Sequence, residues 1–187
     1  MTRILAIQGS PRKGGNTQIM LETVLAGARD ASAETTLVAL ADRDIGECTG
    51  CSACWQGRPC PLDDDMNHLY DAIAETDALV LGTPVYWYGP TALLKAFLDR
   101  LVYFNCPENR PKIRGKAVAA VIPYEETGPE AAEPLVRMFE LSFAYLELVP
   151  AGMVIAPGIG SRGAVREHPD ILERCRALGR GLAQSDS

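Results

Sequence analysis

The chain has 187 residues, of which 47% are hydrophobic and 22% charged, and its formal net charge is −6. This composition is that of an ordinary globular protein and excludes disorder, collagen-like repeats and coiled coils. The acidic balance argues against nucleic-acid binding, and no apolar run approaches the roughly 18 residues of a membrane helix. The first apolar run reaches a Gly-Ser-Pro turn too soon for a signal peptide, so we expect a cytoplasmic protein that binds no membrane.

Short apolar segments alternate with segments of helical periodicity along the chain. The pattern predicts five strands, in chain order over residues 3–7, 35–40, 78–82, 116–122 and 152–155. Between and after them it predicts helices through 19–25, starting at 63–65, and over 91–104, 130–146 and 169–183. This α/β alternation is typical of a parallel sheet with helices on both faces. We expect one domain over residues 1–187, with a cysteine-rich insertion at about 42–62.

The loop after the first strand has the composition of a phosphate-binding turn. Residues 9–17 read GSPRKGGNT, with three glycines that allow a sharp turn and close approach to a ligand. Ser10, Asn16 and Thr17 offer polar side chains, Arg12 adds a cation, and the following helix presents free amides. The nucleoside-triphosphate pattern, which ends in Gly-Lys-Ser/Thr, and the dinucleotide Gly-x-Gly-x-x-Gly pattern are both absent. The loop therefore suits the dianion of a phosphate group.

A second motif follows the third strand, where residues 83–90 read TPVYWYGP. Ligands of open doubly wound sheets lie beyond the carboxyl ends of the strands, at the point where strand order reverses. In the strand order 2-1-3-4-5, strands one and three flank that point, so both motifs would open onto one crevice. Tyr86, Trp87 and Tyr88 between two prolines form a stiff aromatic wall for a planar ring, although a core or dimer contact is the alternative. The two motifs together suit a mononucleotide with a large base.

Taken together, these two segments resemble those of the flavodoxin-like NADPH-dependent FMN reductases, and the resemblance covers nearly the whole chain. It implies a flavodoxin-like three-layer sandwich whose five-stranded parallel sheet has the order 2-1-3-4-5. It also implies FMN as the cofactor and NAD(P)H as the co-substrate. The phosphate of FMN would be bound by Ser10, Arg12, Gly15, Asn16 and Thr17.

The same resemblance assigns residues around the isoalloxazine ring. Pro84, Val85, Tyr86 and Trp87 would border the ring. A loop after strand four also reaches the flavin in this family, and here it would contribute Tyr124, Thr127 and Gly128. That loop is usually rich in glycine, whereas here it carries Glu125 and Glu126, which leaves the contacts on this side and the preferred substrate open.

Four of the six cysteines fall within thirteen residues, at Cys48, Cys51, Cys54 and Cys60. Thiolates so closely spaced can converge on one soft metal centre, and the two-residue gaps are similar to those of ferredoxin-type clusters. The chain thus resembles the iron–sulfur flavoprotein branch of the same superfamily, which implies that these four cysteines bind a [4Fe-4S] cluster beside the flavin. A zinc ion, free thiols or a reversible disulfide are the alternatives. The isolated Cys106 and Cys175 are expected to be ordinary buried thiols.

Other polar residues carry no predicted catalytic role. His68 and His168 are expected at the surface, and no serine lies in a nucleophile elbow. Three aspartates at residues 63–65 are expected to cap a helix rather than to bind a cation. Glu125 and Glu126 could relay a proton or simply be solvated.

The motifs predict an FMN-dependent oxidoreductase that passes electrons from NAD(P)H through FMN to a quinone, a flavin or another small acceptor. No catalytic side chain is required, since the flavin itself carries the electrons. One alternative is an iron–sulfur electron carrier with a ferredoxin-like partner, and another is a zinc-stabilised binding module without catalysis. The wide apolar face of the helix at residues 91–104 predicts a homodimer or homotetramer.

Overall fold

Five parallel strands form one sheet in the computed structural model, which describes residues 1–184. The strands are β1 (Arg3–Gln8), β2 (Glu34–Ala39), β3 (Ala78–Gly82), β4 (Ala117–Pro123) and β5 (Val149–Ala156). Their order across the sheet is β2-β1-β3-β4-β5, and every neighbouring pair is parallel. The predicted fold class and strand order are confirmed.

Helices cover both faces of this sheet. They are α1 (Asn16–Asp30), α2 (Met66–Glu75), α3 (Ala92–Arg100), α4 (Glu133–Tyr145) and α5 (Pro169–Gln184). Consecutive strand side chains point to opposite faces, so Leu5 and Ile7 pack in the core that α2, α3 and α4 cover, whereas Ile4 and Ala6 pack under α1 and α5. Burial on both faces explains why the strands read as continuous apolar runs.

Helices α1 and α5 cross at two glycines. A Cβ atom added at Gly27 would lie 2.0 Å from the carbonyl oxygen of Arg176, and one added at Gly179 would lie 1.8 Å from that of Val24. The two backbones therefore approach more closely than any larger residue permits. This contact fixes the position of α1, whose first turn borders the candidate site described below.

Two elements differ in length from their predicted bounds. The helix predicted over residues 91–104 ends at Arg100 and continues as a 3-10 segment, Leu101–Asn105. Its wide apolar face is used within the chain, because Tyr103 stacks on Tyr70 of α2 with ring centroids 4.0 Å apart. The strand predicted over residues 152–155 begins earlier, at Val149, since Pro150 is tolerated on the edge strand and a register shift precedes Gly152.

The cysteine-rich stretch between β2 and α2 is irregular. Residues 43–65 contain one 3-10 turn, Cys54–Gln56, and no strand. Among residues 1–184, no helix combines the length and apolar character needed to cross a membrane.

Candidate functional site

Loops at the carboxyl ends of β1, β3, β4 and β5 enclose a cleft of about 350 Å³. Both sequence motifs open onto it, as expected from the position where strand order reverses. Except for Thr127 and Gly128, all the residues assigned to FMN line this cleft: Ser10, Arg12, Gly15, Asn16, Thr17, Pro84, Val85, Tyr86, Trp87 and Tyr124. The cleft thus joins a glycine-rich turn at one end to an aromatic wall at the other.

The glycine-rich end of the cleft contains an uncapped helix N-terminus. Helix α1 begins at Asn16 after Gly15, no side chain caps it, and its first turn contains no acidic residue. Helix α3 differs, because the hydroxyl of Thr91 accepts a hydrogen bond from the Leu94 amide. The free amides and positive dipole end of α1 are therefore left to an anion in the cleft.

Two hydroxyl groups and the backbone complete this anion cradle. The Ser10 hydroxyl oxygen accepts the Arg12 amide at 3.2 Å, which shapes the turn and leaves its proton to be donated. Thr17 is buried and lines the cleft, and its hydroxyl has no hydrogen-bond partner in the part of the chain that the structure describes. A Cβ atom at Gly15 would come within 3.1 Å of the Arg12 carbonyl oxygen, so a side chain there would crowd the turn. These residues fit the phosphate of a mononucleotide.

The side chain of Asn16 links two loops. Its Nδ2 donates to the carbonyl oxygens of Ser161 at 2.8 Å and Ile159 at 3.4 Å, while its Oδ1 accepts the Val165 amide at 3.3 Å. Both ends of the amide are thereby engaged within the protein. Asn16 borders the cleft as predicted, but its side chain anchors the loop between β5 and α5 against the glycine-rich turn.

That β5–α5 loop supplies lining residues that the sequence interpretation missed, namely Ile159, Gly160 and Arg162. Arg162 donates a hydrogen bond to the carbonyl oxygen of Lys13 and so reaches the anion end of the cleft. The loop follows the carboxyl end of a strand, and the strand-end rule applied to β5 as well as to β1 and β3 would have identified it.

Some basic side chains at the glycine-rich end of the cleft form ion pairs with a carboxylate, and others do not. Lys13 is paired with Asp42 at 2.6 Å between Nζ and Oδ1. Within residues 1–184, neither Arg12 nor Arg162 has a carboxylate at ion-pair distance. Two guanidinium groups that are not paired with a carboxylate therefore line the cleft near the uncapped helix end.

The aromatic wall is a tight turn in an unusual conformation. Tyr86 and Gly89 exchange two backbone hydrogen bonds of 2.9 and 3.0 Å, and between them Trp87 and Tyr88 have φ angles of +49° and +64°. Such left-handed conformations disfavour bulky residues, and they collect at functional sites. Trp87 is 96% exposed, so the alternative of a core contact is wrong for this side chain.

The loop after β4 contributes one buried phenol and two carboxylates. The Tyr124 amide donates to Ala156 at 3.0 Å, and burial, with Glu130 and Glu126 nearby, raises the pKa of its phenol. Glu125 and Glu126 also line the cleft. The predicted residues Thr127 and Gly128 do not line it, because the chain turns at this point into the 3-10 segment Pro129–Ala131.

All four clustered cysteines line a second pocket, of about 80 Å³. Cys51 is exposed, while Cys48, Cys54 and Cys60 are half-buried, and all four are free thiols in this structure. Four soft donors in one pocket have the right chemistry for a thiolate-bound metal. Within residues 1–184, however, no three or more His, Cys, Asp or Glu residues are grouped so that they could hold a metal ion. The donors fit, but their sulfurs do not form a coordination sphere.

Most of the remaining predictions about single residues agree with the structure. Cys106 and Cys175 are buried, and burial raises the pKa of the Cys175 thiol to about 12. His68 is exposed and His168 is half-buried, and neither lines the cleft or the cysteine pocket. Of the three aspartates predicted to cap the helix, Asp64 accepts the Met66 amide at 3.0 Å. The same carboxylate also forms a buried ion pair.

Comparison with known proteins agrees with this architecture. An iron–sulfur flavoprotein of Archaeoglobus fulgidus is 31% identical over 184 residues, which cover 98% of this chain and 80% of that protein. A putative NAD(P)H-dependent FMN-containing oxidoreductase of Bacillus subtilis is 26% identical over 97% of this chain and 99% of its own. The solved NAD(P)H:quinone oxidoreductase from Methanothermobacter marburgensis has the same fold, with a TM-score of 0.76 at 19% identity over 97% of this chain and 98% of that one. Since residues 2–157 match the family profile of NADPH-dependent FMN reductases, the chain belongs to that family of oxidoreductases.

Proposed function

We propose that this protein takes a hydride from NAD(P)H and passes the electrons through FMN to a quinone, a free flavin or another small planar acceptor. The observation that carries the proposal is the cleft in which an uncapped helix end and an exposed aromatic turn face the same space. Bound FMN would supply a ring that accepts a hydride and returns the electrons to a second substrate. The residues of this chain provide binding, orientation and access.

The residues at each end of the cleft would have separate tasks. Amides at the start of α1, with the hydroxyls of Ser10 and Thr17, would donate hydrogen bonds to the phosphate oxygens. Pro84 and Val85 would lie along the ring, with the aromatic turn at the rim. The Tyr124 phenol on the opposite wall is a hydrogen-bond donor at neutral pH, as any tyrosine is, and burial raises its pKa further from that range.

The direct test is reconstitution of the apoprotein with FMN. We expect a stoichiometric flavin spectrum and, on addition of NADPH or NADH, bleaching that a quinone or free flavin reverses. Steady-state kinetics should then follow a ping-pong pattern, because the two substrates use the same ring face in turn. An apoprotein that binds no flavin at micromolar concentration would refute the proposal.

Replacing Arg162 should weaken FMN binding selectively. We expect Arg162→Met to raise the Kd for FMN about ten- to a hundredfold, because a charge-assisted contact to a phosphate is worth about 1.5–3 kcal/mol. The Kd for riboflavin, which lacks the phosphate, should stay the same. Fluorescence titration measures both constants. The double variant Lys13→Met/Asp42→Asn is the matched control, since it removes a mutually neutralised pair from the same loop region. Equal losses for FMN and riboflavin would contradict this assignment.

Replacing Trp87 should affect the acceptor half of the reaction. Its side chain is almost fully exposed at the rim of the cleft, where a planar acceptor can stack on it. We expect Trp87→Ala to raise KM for a quinone about three- to tenfold, in line with the energy of one aromatic pair. FMN affinity should change less than the acceptor KM, since Trp87 lies at the rim and the phosphate end is untouched. Trp55→Ala, at an exposed tryptophan of the cysteine pocket, is the control. An unchanged acceptor KM in Trp87→Ala would exclude this role.

A second candidate, an iron–sulfur electron carrier, is supported by the four thiols that line one pocket and by relatives named iron–sulfur flavoproteins. In that case Cys48, Cys51, Cys54 and Cys60 would bind a [4Fe-4S] cluster, and a ferredoxin-like protein would be the partner. Anaerobic purification followed by iron and acid-labile sulfide assays separates the candidates. About four irons per chain would favour the carrier. One zinc per chain without flavin would instead favour the non-catalytic module.

A further inference from the structure

A buried charged side chain outside the cleft, Arg100, is 1% exposed at the end of α3 and makes hydrogen bonds through all three guanidinium nitrogens. Its Nε donates to the Tyr70 hydroxyl at 3.2 Å. Its Nη1 donates to Asp64 at 2.6 Å and to the Gly46 carbonyl at 3.0 Å. Its Nη2 donates to Asp64 at 3.1 Å and to the Cys60 sulfur at 3.4 Å. Each of the three guanidinium nitrogens therefore has a partner.

These partners lie at both ends of the cysteine-bearing segment. Gly46 precedes Cys48, and Cys60 is the last of the four clustered cysteines. Asp64, the ion-pair partner of Arg100, also accepts the Gly46 amide at 3.0 Å. One guanidinium and its carboxylate thus join the entry and the exit of residues 46–60.

Few internal hydrogen bonds and few buried contacts stabilise the segment between those ends. Its internal backbone hydrogen bonds run from Gln56, Gly57 and Arg58 back to Ala53 and Cys54, within a single turn. Most of its residues are exposed or half-buried. A loop with so few buried contacts opens easily unless its ends are held.

Tyr70 holds the arginine of this ion pair in place. Tyr70, which receives the Nε bond, donates its own hydroxyl proton to the Arg100 carbonyl at 3.3 Å and stacks on Tyr103. Asp64 neutralises the guanidinium, so Arg100 brings no net charge to the cysteine pocket. Its contribution there is the directed hydrogen bonds to Gly46 and Cys60.

We propose that Arg100 is a positioning residue. By bonding to both ends of residues 46–60 it holds this segment in its folded conformation, in which the four cysteines face one pocket. The inference goes beyond the proposed function, because it concerns neither FMN nor the identity of any metal. An ordinary stabilising ion pair would support the whole fold, whereas this one acts on a single segment. That difference can be measured.

The test uses the full-length, FMN-loaded protein and the double variant Arg100→Met/Asp64→Asn. Both charges are removed, since Arg100→Met alone would leave a buried carboxylate without a partner and could prevent folding. Hydrogen exchange should become about tenfold faster in residues 46–60, and alkylation of Cys60 should accelerate to a similar degree. Exchange in the sheet and the Kd for FMN should stay as in the parent protein.

Two further variants distinguish positioning from general stabilisation. Arg110→Met removes a half-buried arginine that contacts Glu147 and the Tyr145 carbonyl and does not line the cysteine pocket, and it should leave residues 46–60 protected. Arg100→Lys keeps the charge but cannot reach Gly46 and Cys60 at once. It should restore thermal stability while Cys60 stays rapidly alkylated.

Two results would overturn the inference. One is a folded double variant in which residues 46–60 exchange as slowly as in the parent protein. The other is a loss of protection that is equal in the sheet and in residues 46–60, which would make Arg100 a general stabilising residue. Neither result depends on flavin reduction, so the proposed function would stand or fall separately.

Discussion

Asn16→Ala is expected to weaken FMN binding about ten- to a hundredfold, although its side-chain amide is already engaged within the protein. The substitution leaves the Ser161 carbonyl and the Val165 amide without their partner, and each lost partner of this kind costs about 1–3 kcal/mol. The β5–α5 loop would then separate from the glycine-rich turn. Because that loop also carries Arg162, both the shape and the charge of the anion end would change.

Fluorescence titration with FMN measures this effect, and riboflavin titration shows how much of it depends on the phosphate. Thr23→Ala is a suitable control, since that hydroxyl bonds only to the Ile19 carbonyl of its own helix. The Kd of the control should match that of the parent protein. Unchanged FMN affinity in Asn16→Ala would mean that the loop holds its position without this amide.

Gly179→Ala should lower the free energy of unfolding by about 3 kcal/mol, the upper part of the range for overpacked sites. A Cβ atom at this position would lie 1.8 Å from the Val24 carbonyl and 2.8 Å from the Ala28 amide nitrogen. Both are backbone atoms of α1, so no side-chain rotation relieves the overlap and the helices must move apart. In a chain of this size the melting temperature should fall by about 6–12 °C.

The neighbouring Gly181 provides the matched control on the same helix. A Cβ atom there would meet no heavy atom within 4 Å. Gly181→Ala should therefore stabilise the protein, by about 0.5–1 kcal/mol, through the helix preference of alanine. Calorimetry of both variants gives the comparison. Similar melting temperatures for the two would show that the helix crossing tolerates a methyl group.

The fold could be predicted from the sequence because the patterns that indicate its strands and helices are local. Strands buried on both faces leave continuous apolar runs, and five such runs separated by helical segments admit few arrangements. The glycine-rich turn and the aromatic segment were assigned to one cleft by the strand-end rule together with the strand order that the family resemblance implied. The bounds of α3 and β5 differ from the predicted ones, since the 3-10 continuation after Arg100 and the register shift before Gly152 depend on tertiary packing.

The parts of the site that could not be predicted depend on contacts between distant residues. Asn16 was correctly assigned to the cleft, but its partners lie more than 140 residues away. Arg100 carried no sequence signal, because an arginine at the end of a helix is ordinarily exposed. The cysteine spacing indicated one pocket correctly, whereas the geometry of four sulfurs depends on a loop whose ends are set by that arginine.

Helix α3 connects the two pockets, and each of its ends is anchored by a polar side chain. At one end the Thr91 hydroxyl donates to the Gly9 carbonyl at 2.5 Å, at the start of the glycine-rich turn, and at the other end lies Arg100. The nine residues of this helix span about 14 Å. Inserting one residue within it would rotate everything beyond by about 100° and detach one anchor. The number of residues in α3 therefore sets the distance between the cleft and the cysteine pocket. Insertions and deletions in this protein are expected in other segments of the chain.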